Sequence, residues 1–464
     1  MSKRPHLLAQ KLTLDASPEQ LFQRCEHQPY ALFLDSASDQ HPNSRYSMIL
    51  TQPWWVLECR AEKLTLHADQ NELTEAVPTT TKASEAFALA QQLIELSGDY
   101  QGPEELPFQG GAAGIIGYDY GRQLEVLPAH ISERYQTPDL VLCGYRQALL
   151  YDNQQHQYWL LAPAEQWQQQ AQQWQQSPQP ASQKFQVTSA WQSNLSKTQY
   201  LQRFQRVQEY LHAGDCYQIN LAQRFSAQYQ GSEWLAYRNL REHNKAPFSA
   251  FFRLPQSAVL SISPERFLAA TAAGEVQTKP IKGTRPRYPD PQQDNAAKAE
   301  LAASPKDRAE NLMIVDLLRN DLSKVCLPHS VKVPELFAIE SFPSVHHLVT
   351  TVTGTLARRE DALPLFAGAF PGGSITGAPK IRAMQIIEEL EPHRRNIYCG
   401  SVAYFSQHGQ MDSSITIRTL LAEQGTLYCW AGGGLVADSI GEDEYQETFD
   451  KVSRILPRLN PEHG

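Results

Sequence analysis

Pro280-Ile281-Lys282-Gly283-Thr284 places one amine between a proline and a glycine, at the end of a segment that is predicted to be a buried strand. A lysine acts as a nucleophile only when burial or a cationic neighbour destabilises its ammonium form. Lys279 and Arg285 both lie within three residues of Lys282. An isolated lysine of this kind is far more often a plain surface residue. The rest of the chain decides between the two interpretations.

Several further motifs accompany this stretch in the second half of the chain. They are Ser263-Pro264-Glu265-Arg266-Phe267, Lys306-Asp307-Arg308-Ala309-Glu310-Asn311, the segment from Phe370 to Lys380, and the segment from Ala431 to Asp438. Together they resemble the pattern of the chorismate-utilising enzymes, over nearly the whole chain and most strongly from Trp191 to Arg458. The resemblance implies an α+β fold in which layered mixed and antiparallel β-sheets carry outer helices around a central cleft.

Length, charge and cysteine usage limit the class of protein. The chain has 464 residues, a net charge of −9 and seven scattered cysteines. The acidic balance argues against nucleic acid or an anionic membrane as a partner. The odd number of cysteines, with no Cys-x-x-Cys pair, argues against a disulfide framework or a zinc site. Since no signal-peptide core and no run of about eighteen apolar residues occurs in the sequence, we expect a soluble, cytoplasmic protein.

Composition changes at a glutamine-rich stretch that ends in Ser177-Pro178-Gln179-Pro180-Ala181-Ser182, which is typical of a linker. We therefore predict a β-rich N-terminal region over residues 1–180 and a catalytic region over residues 190–464, where strands and helices alternate. In the first region, the glycine-rich segment from Phe108 to Asp119 is predicted to be a strand in close contact with other backbone. In the second, Ser196 is predicted to cap a helix that Gly214 ends.

Two predicted helices each carry a pair of carboxylates on one face: Asp307 with Glu310, and Glu444 with Glu447. Each pair alone is more often a solvated helix face. The first helix continues as an almost wholly apolar sequence, so its carboxylates should be partly buried and need a cation. Oxygen ligands without histidine favour Mg²⁺. The family resemblance implies that Glu310 and Glu447 hold Mg²⁺ against the ring carboxylate of the substrate, with Asp307 and Glu444 farther from the ion.

A substrate with two carboxylates needs two anion receptors. If Gly432-Gly433-Gly434 form a turn, their backbone N–H groups are open to an anion, because no side chains keep it away. A flexible turn without a ligand is an equally good interpretation. Arg418 lies in a strand predicted from Ser414 to Leu421, where its guanidinium could hold a carboxylate through two hydrogen bonds, and a surface arginine is the alternative. By resemblance, the substrate also contacts Ser374 and Tyr398, while Gly283, Thr284 and His347 line the reacting end.

The resemblance implies that the C4 hydroxyl of chorismate is replaced by an amino group, on the way to p-aminobenzoate and folate. Lys282 would attack C2 as the hydroxyl leaves, with Glu265 as general acid, and ammonia would then add at C4 with Glu265 as base. Anthranilate synthases have alanine in place of Lys282, and isochorismate and salicylate synthases have lysine in place of Gln218. The combination of Lys282 and Gln218 therefore favours amination at C4. Anthranilate synthesis, or a regulatory protein that binds chorismate or tryptophan without turnover, are the alternatives.

The sequence contains no Gly-x-Cys-x-Gly turn of an amidotransferase. The resemblance therefore implies that ammonia comes from a separate glutamine amidotransferase subunit, in a heterodimer. Relatives also carry a tryptophan pocket in the N-terminal half, for which plain polar turns are the alternative here. The segments that resemble its walls are Ser36, Asn43-Ser44-Arg45-Tyr46 and Pro247-Phe248-Ser249.

Overall fold

The computed structural model describes residues 4–38, 41, 44–68, 82–131, 135–176, 184–342 and 345–460. Its helices are α1 (Pro18–Phe22), α2 (Ala86–Ile94), α3 (Trp167–Gln175), α4 (Lys197–His212), α5 (Glu233–Asn244), α6 (Pro291–Ala303), α7 (Pro305–Ser323), α8 (Ala362–Ala369), α9 (Lys380–Leu390) and α10 (Gly441–Val452). Its strands are β1 (His6–Leu12), β2 (Leu32–Asp35), β3 (Tyr46–Leu50), β4 (Trp55–Arg60), β5 (Lys63–Ala68), β6 (Asp99–Gln101), β7 (Gly111–Ile116), β8 (Leu140–Tyr145), β9 (Ala148–Asp152), β10 (Gln157–Pro163), β11 (Phe185–Val187), β12 (Gln192–Ser193), β13 (Gln218–Gly231), β14 (Phe248–Arg253), β15 (Ser257–Ser263), β16 (Arg266–Ala270), β17 (Glu275–Thr278), β18 (Ile281–Pro286), β19 (Lys332–Ser341), β20 (Val345–Thr355), β21 (Gly377–Ala378), β22 (Ser401–Ser406), β23 (Met411–Ile415), β24 (Thr419–Glu423) and β25 (Thr426–Leu435).

In this part of the chain the strands form two large sheets. The larger has the order β11-β13-β25-β24-β15-β14-β2-β3-β9-β10-β1-β6, and the smaller has the order β18-β20-β17-β16-β23-β22-β7-β8-β4-β5. Antiparallel pairing predominates, as between β13 and β25 or between β18 and β20, whereas β1 and β6 pair in parallel. Together with the helices, these sheets confirm the α+β class of layered, mainly antiparallel sheets.

Both sheets combine strands from both predicted regions of the chain. In the larger sheet β14 pairs with β2, and in the smaller sheet β22 pairs with β7. The predicted linker, residues 177–182, lies outside the described residues. The boundary between residues 180 and 190 therefore stays a prediction.

Strand β7 lies fully buried between β22 and β8. A Cβ added to Gly114 would lie 2.0 Å from the carbonyl oxygen of Val141 in β8. Glycine is the residue that permits this approach, because any side chain would collide with the neighbouring backbone. The prediction of a strand in close backbone contact is thereby confirmed.

Helix α4 begins and ends where its sequence indicates. The hydroxyl of Ser196 accepts a hydrogen bond from the backbone N–H of Gln199, whose side chain accepts one from the Ser196 N–H in return. This reciprocal capping box satisfies two N–H groups that have no partner within the helix. Gly214, just beyond the helix, has a φ of 80°, in the left-handed region that commonly ends helices.

Two short crossovers carry the chain between the sheets at the same place. Residues 264–265 connect β15 of the larger sheet to β16 of the smaller one, and residues 416–418 connect β23 back to β24. The backbone N–H of Ile415 donates to the Glu265 carbonyl at 3.0 Å, and that of Ile262 donates to the Arg418 carbonyl at 3.1 Å. Glu265 and Arg418 therefore stand at neighbouring crossovers.

The prediction of one strand from Ser414 to Leu421 is wrong. Strand β23 ends at Ile415, Arg418 has a left-handed φ of 51°, and β24 begins at Thr419 in the other sheet. Both strands are buried, so the apolar pattern continues across the crossover and hides the break. Arg418 consequently lies in the crossover rather than on the face of a strand.

Two helices bring carboxylates towards these crossovers. Helix α7 packs against β18 and β20, and helix α10 packs against β25. Ser304 caps α7 by accepting a hydrogen bond from the N–H of Asp307, with Pro305 in the first turn. Within the described ranges, no helix has both the length and the apolar composition that crossing a membrane requires.

Candidate active site

Lys282 lies in β18 at a β-bulge, where the pairing with β20 changes register. Gly283, next to it, has a φ of 78°, and an added Cβ would lie 2.8 Å from Cγ of Asp307. Glycine therefore allows both the bulge and the close approach of helix α7. The Nζ atom of Lys282 donates to the carbonyl oxygen of Ser374 at 3.5 Å.

Lys282 and Glu265 form an amine and carboxyl pair in a poorly solvated place. The side chain of Glu265 accepts a hydrogen bond from the Ser374 hydroxyl at 3.5 Å, and the residue is only 8 % exposed. Burial raises the pKa of Glu265 to about 7, although Lys282 and Ser374 act in the opposite direction. Burial also lowers the pKa of Lys282, against the attraction of Glu310 and Glu265. A carboxyl that keeps its proton near neutral pH thus lies beside an amine that loses its proton more easily, as acid-assisted nucleophilic attack requires.

Glu310 of α7 and Glu444 of α10 both lie close enough to Glu447 of α10 to feel its charge. Burial raises the pKa values of Glu310 and Glu444, and repulsion from Glu447 adds to both shifts. Burial acts in the same direction on Glu447, but the ammonium of Lys451, 2.6 Å away, lowers the pKa of Glu447 overall. Helices α7 and α10 therefore concentrate negative charge beside Lys282, where a cation would relieve the repulsion.

The glycines Gly432–Gly434 lie inside strand β25, so the prediction of a turn is wrong, while their contact with the substrate stays a prediction. They pair with β13 along one edge, whereas the pairing of β25 with β24 along the other edge ends at Cys429. These positions carry glycine because neighbouring side chains occupy the space that a Cβ would need. A Cβ on Gly433 would lie 2.9 Å from Oε2 of Glu444, and a Cβ on Gly434 would lie 2.7 Å from Nε2 of Gln218.

The carboxylates suit a hard cation that needs only one or two ligands from the protein. Asp307 is engaged elsewhere, because its Oδ2 atom lies 3.2 Å from Nη2 of Arg285. Among the described residues, no three His, Cys, Asp or Glu side chains form a ready metal-binding group. Mg²⁺ takes only one or two protein carboxylates and completes its shell with water and substrate oxygens. Glu310 and Glu447, one from each helix, are a donor set of that kind.

Thr284 and His347 meet at the edge of the bulge, with Oγ1 and Nδ1 at 2.8 Å. Burial lowers the pKa of His347 to about 4, and the guanidinium of Arg418 adds to the shift, so the imidazole is neutral at neutral pH. These three residues line a cavity of about 200 Å³. Tyr398 is not among the residues that line this cavity; it is buried and stacks on Trp430 with ring centroids 6.2 Å apart.

A separate cavity of about 360 Å³ lies where the predicted tryptophan pocket was expected. Ser44 is buried but is not part of its lining, and Asn43 lies outside the described residues. The predicted residues that do line the cavity are Ser36, Arg45, Tyr46, Pro247, Phe248 and Ser249.

The motif comparison missed Lys451. Its ammonium donates to the carbonyl oxygen of Gly432 at 2.7 Å and lies 2.6 Å from Glu447. A signal was present, because Lys451 follows Glu447 by four residues in a predicted helix, a spacing that places both on one face.

The chain belongs to the family of chorismate-binding enzymes, whose sequence profile matches residues 30–457. A curated relative, aminodeoxychorismate synthase component 1 of Escherichia coli (strain K12), is 50 % identical over 440 residues, which cover 94 % of this chain and 95 % of the relative. Anthranilate synthase component 1 of Geobacillus stearothermophilus is 33 % identical over 466 residues, covering 95 % and 90 %. The crystal structure of anthranilate synthase component I from Streptococcus pneumoniae TIGR4 superposes with a TM-score of 0.77 at 28 % identity, covering 89 % of this chain and 92 % of that one.

Proposed function

We propose that this chain converts chorismate and ammonia to 4-amino-4-deoxychorismate, as the chorismate-binding component of a two-component enzyme. Relatives named aminodeoxychorismate synthase component 1 share about half of its sequence over nearly their whole length. The observation that carries the proposal is the pair formed by the half-buried Lys282 and the buried Glu265. Both pKa shifts run in the direction that a neutral nucleophile and a protonated acid require.

In the first step, the neutral amine of Lys282 attacks C2 of the ring. The two ring double bonds shift towards C4, the C4–O bond breaks, and Glu265 gives its proton to the departing hydroxyl, which leaves as water. The Ser374 carbonyl and hydroxyl, each 3.5 Å from one of these two groups, hold the amine and the carboxyl in position.

In the second step, ammonia adds at C4. The double bonds shift back, the bond between C2 and the lysine nitrogen breaks, and the ionised Glu265 accepts a proton from the incoming nitrogen. One ammonia has then replaced one water, and both Lys282 and Glu265 have returned to their starting states.

We propose Mg²⁺ as the metal, with Glu310 and Glu447 as its ligands. The support is that burial, and after it repulsion from Glu447, raises the pKa values of Glu310 and Glu444. When bound, Mg²⁺ would neutralise the carboxylate on the substrate ring. Lys451 would keep Glu447 ionised and therefore able to act as a ligand.

The proposed source of ammonia is a separate glutamine amidotransferase, which would form a heterodimer with this chain. The words "component 1" in the names of the relatives support a second component. The proposed location is the cytoplasm. It is supported by seven free, buried cysteines, which suit a reducing compartment.

Tryptophan is the proposed occupant of the 360 Å³ cavity. Support comes from a lining that offers the aromatic rings of Phe248 and Tyr46 together with the charged groups of Arg45 and Glu105. An aromatic amino acid needs both kinds of contact. Denatured protein should release tryptophan, or the purified protein should bind it in a calorimetric titration. If neither is observed, the cavity has another occupant or none.

One assay tests the activity directly. Purified protein is incubated with chorismate, Mg²⁺ and ammonium, and the products are separated by chromatography. We expect 4-amino-4-deoxychorismate. Anthranilate as the product, or chorismate left unchanged, would contradict the proposal.

A further inference from the structure

Two adjoining cavities open beside the reacting end of the site. The smaller, of about 200 Å³, and the larger, of about 530 Å³, share walls formed by His347, Arg418 and Arg454. The larger is also lined by Pro264 and Ile281, the chain neighbours of Glu265 and Lys282. The two arginines therefore lie near the catalytic pair, although neither Lys282 nor Glu265 itself lines these cavities.

The walls of the joined cavities are cationic, although the whole chain has a net charge of −9. A cleft concentrates the field of its own walls, so the local charge matters more than the net charge. The charged residues of the smaller cavity are Arg418, Lys451 and Arg454, against Asp450. Those of the larger cavity are Lys245, Arg266, Lys279, Arg418 and Arg454, against Glu242 and Glu340.

Several of these cations already have a carboxylate partner. The ion pairs are Arg266 with Asp412 at 2.7 Å, Lys279 with Glu340 at 2.9 Å and Lys451 with Glu447 at 2.6 Å. Arg418 and Arg454 differ, since neither forms an ion pair with any residue that the structure describes. Both residues line both cavities and so border the same space, and Arg454 is exposed.

The two unpaired arginines act unfavourably on each other. Burial lowers the pKa of Arg418, and the neighbouring charge of Arg454 lowers it further. Arg418 also has a left-handed φ of 51°, a conformation that is costly for a residue other than glycine and is often found at binding sites. An anion placed between the guanidiniums would remove the repulsion and gain two charge-assisted contacts.

We propose that Arg454 joins Arg418 in a receptor for the second carboxylate of the substrate, the one on the enolpyruvyl side chain. The proposal rests on the proposed function, because it takes chorismate as the substrate. The ring carboxylate is directed to Glu310 and Glu447 through the cation, so the second carboxylate needs a receptor elsewhere in the site. Thr284 and the neutral His347 add hydrogen-bonding groups to the same cavity without adding charge.

The test compares Arg454→Gln with Arg458→Gln. Arg458 is exposed, lies four residues further along the chain and lines neither cavity, so it is the matched control. We expect Arg454→Gln to raise the KM for chorismate by about ten- to a hundredfold, the range that one charge-assisted hydrogen bond supplies, while the KM for ammonium stays unchanged. Arg454→Lys should recover part of the loss. An unchanged KM for chorismate, or an equal change in Arg458→Gln, would overturn the proposal.

A binding measurement separates this proposal from the reaction. Chorismate is titrated calorimetrically into Lys282→Ala and into Lys282→Ala/Arg454→Gln, in the presence of Mg²⁺. The second protein should bind about tenfold more weakly or worse, and the difference should shrink at high salt. If the wild type makes no aminated product but this difference appears, the proposed function fails and the receptor stands. Equal binding by the two proteins would refute the receptor.

Discussion

A Cβ added to Gly433 would lie 2.9 Å from Oε2 of Glu444. Strand β25 carries glycine here because the carboxylates of helix α10 occupy the space that a side chain would take. Strand β25 and helix α10 therefore determine the positions of the acidic side chains together. Gly433 contributes by leaving room for the carboxylates of Glu444 and Glu447, and not through its own backbone groups.

Replacing Gly433 by alanine should weaken the metal site. The new methyl group would displace Glu444 and Glu447, so we expect the Mg²⁺ concentration for half-maximal activity to rise by about tenfold or more. Gly368→Ala is the control, because the nearest atom to its added Cβ is 3.8 Å away. The same Mg²⁺ dependence in the wild type and in Gly433→Ala would contradict this explanation of the glycine.

Lys282→Ala should lose formation of the aminated product by at least about a thousandfold, since Lys282 is the amine that lies beside the Ser374 carbonyl and the Glu265 carboxyl. Lys279→Ala is the matched control: Lys279 is only three residues away, but it pairs with Glu340 at 2.9 Å. We expect the control to keep most of its activity. Product analysis by chromatography measures both variants, and substantial amination by Lys282→Ala would show that the assigned nucleophile is wrong.

The pH dependence of the first step should follow Glu265. Burial raises the pKa of Glu265 to about 7, so the proton that the leaving hydroxyl needs is present below this pH and is lost as the pH rises through it. The step also needs a neutral Lys282, whose share grows as the pH rises, so the pH profile of single turnovers with chorismate and no ammonium should have an ascending limb from Lys282 and a descending limb from Glu265. A rate that rises with pH to a plateau and never falls again at higher pH would exclude Glu265 as the acid.

Arg395 should be a major contributor to stability behind the site. Its side chain is 1 % exposed and pairs with Glu391 at 2.6 Å, while its Nη1 and Nη2 donate to the carbonyl oxygens of Ile375 and Asn220, both at 3.0 Å. Arg395→Met would leave Glu391 buried without its partner, so we expect a loss of about 3–5 kcal/mol in the free energy of unfolding. Urea denaturation measures it.

The exposed Arg206 provides the comparison. Arg206→Met removes a surface ion pair with Glu209 and should leave the free energy of unfolding almost unchanged. A loss of similar size in both variants would mean that the buried network around Arg395 has no special role.

The sequence predicts which side chains lie together better than it predicts the local backbone. Lys282 and Glu265 stand in motifs whose residue types suggest a nucleophile and an acid, and the structure places both beside Ser374. Arg418 was assigned to a strand because buried strands on both sides of the crossover give one continuous apolar pattern. Contacts between residues that are far apart in the sequence decide which sheet a strand joins. The local sequence pattern therefore does not predict it.

The same limit explains the glycines and the missed cations. From the sequence alone, Gly432–Gly434 could equally form a turn or a strand against which other side chains pack closely. Only the position of helix α10 distinguishes the two structures. Lys451 was detectable from its spacing to Glu447, whereas Arg454 gives no signal until the cavities are known. Helix α4 shows the opposite case: the N-cap Ser196 and the final Gly214 are local signals, and both predictions are confirmed.

The most direct test of the central claim is to trap the amine of Lys282 on the ring. Protein is mixed with chorismate and Mg²⁺ without ammonium, quenched in acid, digested and analysed by mass spectrometry. We expect the peptide that contains Lys282 to carry chorismate less one water, and this species to disappear when ammonium is added before the quench. An unmodified Lys282 peptide, in a protein that still forms 4-amino-4-deoxychorismate when ammonium is supplied, would contradict the account.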